Sequence, residues 1–358
     1  MRRVLAVAVG AVSAMALSAG PALACGGLIG PNGAVNLTRT TTFAGYANGV
    51  EHYVTAFNFA GGTGKFGSIT PLPDVPTKVE RGGDWTLQRL VRETAPKPKR
   101  AFRLGSSSDE KASASAEVLL EAKVDALDIT ILRGNGEEVG RWAKKNGFRL
   151  PPDSPEVLDF YAKRSPIFMA AAFDADRAEA AGQQIGDGTP IHLTIPTKAP
   201  WVPLRILGLG KNAVERVDAD VFLLTEGRQA MLPAPARRSS DDETVPPGLV
   251  LEYDKAASPE LLRDLRGDAG GEWVPLQDMW LTKVRVAETA GSLKYDLAVA
   301  GPESGKPSLV AAGFTVNGLR PPAADSGNTS VIVASALFLL LGTLVGVTAT
   351  RGRPRHQT

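Results

Sequence analysis

Apolar and polar side chains alternate with a period of two through the early part of the chain, the signature of β-strands with one buried face. Val35, Leu37, Arg39, Thr41 and Phe43 form one run and Tyr53, Thr55, Phe57 and Phe59 the next. Asn48-Gly49 lies between them, which predicts a hairpin-like pair with a longer connection. Gly61 to Gly64 interrupts the pattern, and Ser68-Ile69-Thr70-Pro71-Leu72-Pro73 resumes it as an extended, proline-limited piece suited to a sheet edge. Further strands are expected at 127–132, 167–173, 191–195, 202–207, 220–224, 279–286, 292–299 and 309–315.

Helical periodicity occurs only in short windows. Asp84 is positioned to cap a helix from Trp85 to about Thr94, with Leu87, Leu90 and Val91 on one face and Pro96 ending it. A second helix starts at Glu137, turns Val139, Trp142 and Ala143 inward and closes at Asn146-Gly147. A third is capped near Asp153 or Ser154, carries Pro155 in its first turn and buries Val157, Leu158 and Tyr161. Ser258-Pro259-Glu260 opens a short fourth, ended by Gly267. Apart from an alanine-rich insertion at 175–184, the later strands are joined by loops, which argues against a doubly wound sheet. The expected fold class is α+β: β-rich, with mostly antiparallel sheets, a few short helices and one C-terminal transmembrane helix.

The transmembrane expectation rests on Val331 to Ala349, a run without one charged residue, followed by Arg351, Arg353 and Arg355. As a helix rising 1.5 Å per residue it reaches roughly 30 Å, the hydrocarbon thickness of a bilayer, and the arginines form a positive-inside flank. At the other end, Met1-Arg2-Arg3, the apolar stretch Val4 to Ala19 and Ala22-Leu23-Ala24 have the layout of a secretory signal cleaved between Ala24 and Cys25. The organisation expected is a signal over 1–24, an extracytoplasmic α+β domain over 25–320, a stalk over 321–330, a membrane helix over 331–350 and a cytoplasmic basic tail over 351–358. The domain has a possible subdivision near 233–248. The topology is single-pass in the cell membrane, with the N-terminus extracytoplasmic and the C-terminus cytoplasmic. Membrane lipid is then one partner, and Gly342 and Gly346 form a GxxxG spacing that would let two copies pair as a homodimer.

Charge changes this picture little. Lys+Arg 40 against Asp+Glu 38 leaves a net charge of +2, so no electrostatic footprint points to nucleic acid. The segment 96–116 with Lys97, Lys99, Arg100 and Arg103 reads as a linker or solvated surface loop. The lone cysteine, Cys25, excludes an intramolecular disulfide. Directly after the cleavage point it has three readings: a lipidated cysteine with a partial lipobox, an N-terminal nucleophile, or a small residue in a Cys25-Gly26-Gly27 turn.

Ordered blocks along the first two thirds of the chain resemble a bacterial family, domain of unknown function 2330. They are Cys25-Gly26-Gly27, Gly49-Val50-Glu51-His52-Tyr53, Gly67 to Pro73, Trp85 to Leu90, Leu127 to Leu132, Trp142 to Leu150 and Pro200-Trp201-Val202-Pro203-Leu204-Arg205. The resemblance implies a secreted, often membrane-anchored protein and brings no catalytic or binding residues.

No familiar chemistry assembles from the motifs. Gly62-Thr63-Gly64-Lys65-Phe66-Gly67 satisfies GxGxxG, but Pro71 and Pro73 exclude the helix whose N-terminus would hold a phosphate. His52 and His192 lack metal-ligand spacing, no GxSxG elbow marks a serine, and Glu51, Asp74 and Glu80 are not spaced as an acid/base pair. Trp142 reads as core; Trp201, between Pro200 and Pro203, reads as cover for a sheet edge or as a peptide- or glycan-binding surface. No catalytic, cofactor-binding or metal-binding residue is assigned. The expected function is a non-enzymatic envelope module that binds an extracytoplasmic partner or is structural; the rival is a hydrolase using Cys25.

Overall fold

A computed structural model describes residues 27–30, 33–34, 40–58, 65–95, 117–148, 150–182, 188–237, 247–301 and 305–315. In chain order the strands and helices are β1 (Gly27–Gly30), β2 (Gly33–Ala34), β3 (Thr40–Ala47), β4 (Val50–Asn58), β5 (Lys65–Leu72), β6 (Lys78–Arg81) and α1 (Thr86–Thr94). Then follow β7 (Glu117–Val124), β8 (Leu127–Arg133), α2 (Gly136–Lys145), α3 (Ser154–Ala162), β9 (Ile167–Asp174), α4 (Ala175–Ala180), β10 (Gly188–Pro196) and β11 (Trp201–Val202). The last group is β12 (Arg216–Glu226), β13 (Met231–Leu232), β14 (Ala236–Arg237), β15 (Gly248–Ala256), α5 (Pro259–Gly267), β16 (Met279–Thr289) and β17 (Leu297–Val299).

Three sheets result, with strand orders β2-β1-β5-β9-β8-β7, β14-β15-β16-β12-β3-β4-β10-β6 and β11-β17-β13. Pairing is antiparallel except for β12 with β3 and β14 with β15, so the β-rich α+β expectation holds. Side-chain parity sorts the molecule into four layers. Tyr53, Leu193, Val221 and Val284 of the eight-stranded sheet face Leu127, Ile129, Met169 and Ala171 of the six-stranded sheet in one core. The opposite face of the six-stranded sheet, with Leu132, Phe168 and Ala170, is covered by Val139 and Trp142 of α2 and Val157 and Leu158 of α3. The outer face of the eight-stranded sheet, with Phe43, Val54, Phe222 and Leu281, is covered by Leu87 and Leu90 of α1 and Leu261, Leu262 and Leu265 of α5. Covered on both faces, β3 is buried at every position, which the simple alternation of its sequence did not require.

The differences from the expected elements have physical causes. The hairpin connection is a tight turn: Asn48 (φ 53°) and Gly49 (φ 74°) reverse the chain directly between the paired Ala47 and Val50. The 68–73 segment is not at an edge, because β5 pairs with both β1 and β9; Pro71 is tolerated since β1 reaches only Gly67 to Ile69. Residues 202–207 form Trp201–Val202 and then a 3-10 turn, Arg205–Gly208. Only 297–299 of the expected strand 292–299 forms, and 309–315 is a series of turns with Gly313 at φ 82°. A Cβ on Gly313 would lie 2.2 Å from Phe160, so this turn packs too closely for any larger residue. Val91 faces outward at 41% exposure. Trp201 is buried, stacked on Tyr161 with ring centroids 5.8 Å apart, which removes it as a recognition surface; Trp142 is core as expected.

Helix starts separate local from tertiary control. α2 has a capping box between Asn135 and Glu138, and α5 is capped by the Ser258 hydroxyl, both encoded nearby. α1 is different. Asp84 does not cap it; the Asp268 carboxylate, just past α5, accepts from the Asp84 N–H (3.2 Å), the Trp85 N–H (3.1 Å) and the Thr86 hydroxyl (2.8 Å). Gly83 permits the approach, since a Cβ there would sit 2.0 Å from the carboxylate. Asp268→Ala is therefore expected to destabilise the protein by about 1–2 kcal/mol, the usual range for a lost N-cap. Chemical denaturation checks it, and a change within error would show that α1 does not depend on this cap.

Candidate functional site

The outer face of the eight-stranded sheet holds an arrangement that the sequence did not announce. β4 and β10 pair antiparallel with His192 opposite Val54 and His52 opposite Thr194, so the two histidines are diagonal neighbours on one face. Nδ1 of His52 lies 3.0 Å from Nε2 of His192, a hydrogen bond in which one ring donates and the other accepts. On the far side of β10, β6 places Glu80 opposite His192, and a Glu80 oxygen lies 3.3 Å from His192 Nδ1. Lys78 holds the other Glu80 oxygen at 2.6 Å. The order carboxylate, imidazole, imidazole is thus built from three adjacent strands.

Trp273 closes the arrangement from outside. Its ring lies parallel to His52, 3.9 Å between centroids and 3° between planes. This seat exists because the residue opposite His52 on β3 is Gly45: a Cβ there would lie 2.0 Å from the indole. Gly270 has φ 72°, and a Cβ on it would come within 2.9 Å of His192 Nδ1, so the 269–274 segment also needs glycine to lie this low. Between His192, Trp273, Phe43, Val54 and the Gly82-Gly83 and Gly270-Gly271 pairs remains a cleft with room for about one water. The one hydroxyl in that lining, Thr86, donates to Asp268.

Electrostatics keep the two histidines neutral. Burial, and after it the neighbouring His192, push His52 down to about 3. His192 is lowered chiefly by burial, opposed by Glu80 and Glu272. Glu51, the residue before His52, points to the opposite face of β4, into the core between the sheets. Its carboxyl is 1% exposed, and burial pushes it up to about 8, against a smaller favourable contribution from the Trp201 backbone. One strand thus carries a protonated acid and a deprotonated base, on opposite faces and both without charge at neutral pH.

A family model described as an uncharacterized protein conserved in bacteria, domain of unknown function 2330, matches residues 19–299. The chain belongs to that family. This member of the domain of unknown function 2330 family has no match among curated proteins. Among solved structures, baculovirus P35 is similar over 74% of this chain and 97% of its own, at 10% identity and a TM-score of 0.39. A mutated baculovirus P35 after caspase cleavage gives 74%, 94%, 9% and 0.35.

The family match takes in the whole histidine arrangement. It stops short of the apolar run at 331–349. Ala24, Cys25, Gly342 and Gly346 lie outside the described residues, as does the segment 96–116. Among the described residues no helix is long and apolar enough to cross a membrane, and no group of three or more His, Cys, Asp or Glu residues could hold a metal ion. Of the GxGxxG stretch, Gly67 is in the interior of β5, where its missing side chain makes room for Phe148, 2.6 Å from a would-be Cβ. Glu51 and Glu80, unpaired in sequence, have distinct places: one buried in the core, the other beside His192. Trp273, Gly45 and Gly270 carried no sequence signal beyond their residue type, because their roles depend on a loop lying across strands far away in the chain.

Proposed function

We propose that this member of the family is a single-pass membrane protein whose folded domain lies outside the membrane and serves as a non-enzymatic binding or structural module of the envelope. The observation that carries the reading is the uncharged run Val331 to Ala349 with arginines at 351, 353 and 355, set against a signal-like segment over 1–24. In this reading residues 25–320 are extracytoplasmic, 321–330 form a stalk, 331–350 cross the bilayer and 351–358 are cytoplasmic. Gly342 and Gly346 supply a close-packing face for a homodimer. The four-layer scaffold supports a module that presents surface.

The test is topology in the native host. Protease added to intact spheroplasts should digest the 25–320 region and leave the tail. Mass spectrometry of the N-terminus should begin at Cys25, and a chain truncated after residue 320 should leave the membrane fraction for the medium or periplasm if Cys25 carries no lipid and stay with the membrane if it does. A protein that stays in the cytosolic fraction with residues 1–24 attached overturns the proposal.

A further inference from the structure

His52 and His192 share one proton across 3.0 Å, beneath an indole that is itself only half-buried. We propose that this pair is an acid-triggered latch on the 269–274 segment: uptake of a further proton by the pair unseats Trp273 and opens the outer face of the eight-stranded sheet. The inference stands on the described residues and does not depend on the membrane reading.

A second proton has two places to go. When His52 Nδ1 donates and His192 Nε2 accepts, His192 carries its own hydrogen on Nδ1, 3.3 Å from a Glu80 oxygen, and a further proton on Nε2 sets two N–H groups against each other across 3.0 Å. A proton on the remaining nitrogen of His52 charges a ring covered by Trp273 in an apolar layer. Burial is the chief cause that holds His52 down at about 3. Lifting Trp273 off the ring brings water to the charge and removes the penalty.

The segment begins with Gly270 and Gly271 and is held by the bonds Ala269 N–H to the Asp268 carboxylate (3.0 Å), Gly271 N–H to the Asp268 carbonyl (3.0 Å), Val274 N–H to the Gly271 carbonyl (2.9 Å) and Arg266 to the Val274 carbonyl (2.7 Å), with Val274 buried at its end. The charged groups around the pair are Glu80 and Lys78 on β6 and Glu272 on the segment itself. Glu80 is already taken up by Lys78, and Glu272 is exposed. β3 contributes Gly45, α1 the neutral Thr86 and α5 the apolar Leu265, so none of them offers the pair a counter-charge.

Hydrogen exchange on the full chain in neutral detergent tests the latch. Opening linked to one proton grows about tenfold per pH unit of acidification. Between pH 6.5 and 4.5, the protection of amides 269–274, corrected for intrinsic rates, should fall by about that factor per unit while β4 and β10 stay protected. Trp273 emission, taken as wild type minus Trp273→Phe, should shift to the red over the same interval and return on neutralisation. His52→Gln and His192→Gln should each abolish the pH dependence. Protection that does not change with pH, or the same slope in both variants, overturns the proposal. Should either variant fail to fold, imidazole NMR of the wild type decides: ring protonation with Trp273 still stacked overturns the latch, and protonation coincident with loss of the Trp273–His52 contact supports it.

Discussion

Asp296→Ala is expected to lower the unfolding free energy by about 3–5 kcal/mol, the cost of removing one partner from a buried ion pair. Asp296 is completely buried, and its carboxylate ion-pairs with Arg164, which is also buried. It accepts as well from the Tyr161 hydroxyl (2.9 Å) and from the backbone N–H groups of Leu204 (2.6 Å) and Arg205 (2.9 Å). The Tyr161 oxygen in turn accepts from the Ile206 N–H at 2.8 Å. Arg164 lies 4.3 Å from the Phe160 ring and 4.7 Å from Trp201, and its guanidinium donates to the Ala311 carbonyl. One carboxylate, on the residue before β17, therefore joins α3 and the 3-10 turn after β11, and through Arg164 it reaches the turns at 309–315. Removing it leaves a guanidinium, a phenol hydroxyl and two amides without this acceptor. The expected reading is a fall in Tm of about 10 °C, taking a few degrees per kcal/mol for a domain of this size. Asp296→Ala combined with Arg164→Met should recover part of the loss, because the charge left unpaired is then gone. A single variant within about 1 kcal/mol of wild type would mean that the network is not what holds these segments.

The second large effect is a loss of stability as pH rises from 6.5 to 8. The folded pKa of Glu51 is raised to about 8 from 4.5, so its contribution is fully present below pH 4.5 and lost as pH rises toward 8. The folded pKa of His52 is lowered to about 3 from 6.5, so its contribution is present above pH 6.5 and lost as pH falls toward 3. Between 4.5 and 6.5 unfolding releases one proton from Glu51 and binds one at His52, which offset each other, while the lowered His192 binds a further proton on unfolding, so stability rises toward pH 6.5. From pH 6.5 to 8 only Glu51 contributes, and stability should drop by on the order of 2 kcal/mol. Glu51→Gln keeps the shape without the ionisation, so the difference between its denaturation curve and that of wild type should grow across this interval. Parallel curves from pH 6.5 to 8 would show that Glu51 is not held protonated.

These two predictions also mark where sequence reading succeeds. Alternation placed most strands, and the cap signals at Ser258-Pro259-Glu260 and at Asn146-Gly147 placed helix ends within a residue or so, because the interactions concerned span a few positions. The stretch 202–207 looked like a strand from its apolar content. It turns after Val202 because Asp296, 92 residues past Leu204, draws two consecutive amides to one oxygen. The strands at 117–124 and 248–256 escaped notice because their faces are half-covered and their apolar residues do not alternate cleanly. Asp84 had the right type and position for a cap, yet Asp268 occupies the helix start.

The candidate site was less legible than the fold. Parity alone puts His52 on the face opposite Tyr53, and His192 on the face opposite Leu193. Whether those faces coincide depends on strand order, and β4, β10 and β6 are adjacent only after 140 residues have been brought together at His52 and His192. The sequence by itself determined the β-rich antiparallel class, the locally capped helices, the family, and the apolar and basic segments on which the membrane proposal rests. Each follows from composition or from contacts within a turn or two. The tertiary structure alone decided the shared histidine proton, the indole seated on Gly45, the opposite pKa shifts of the neutral Glu51 and His52, and the carboxylate that ties α3 and the 3-10 turn to the residue before β17. Burial and register create those properties, and both are set by which strands come to lie side by side.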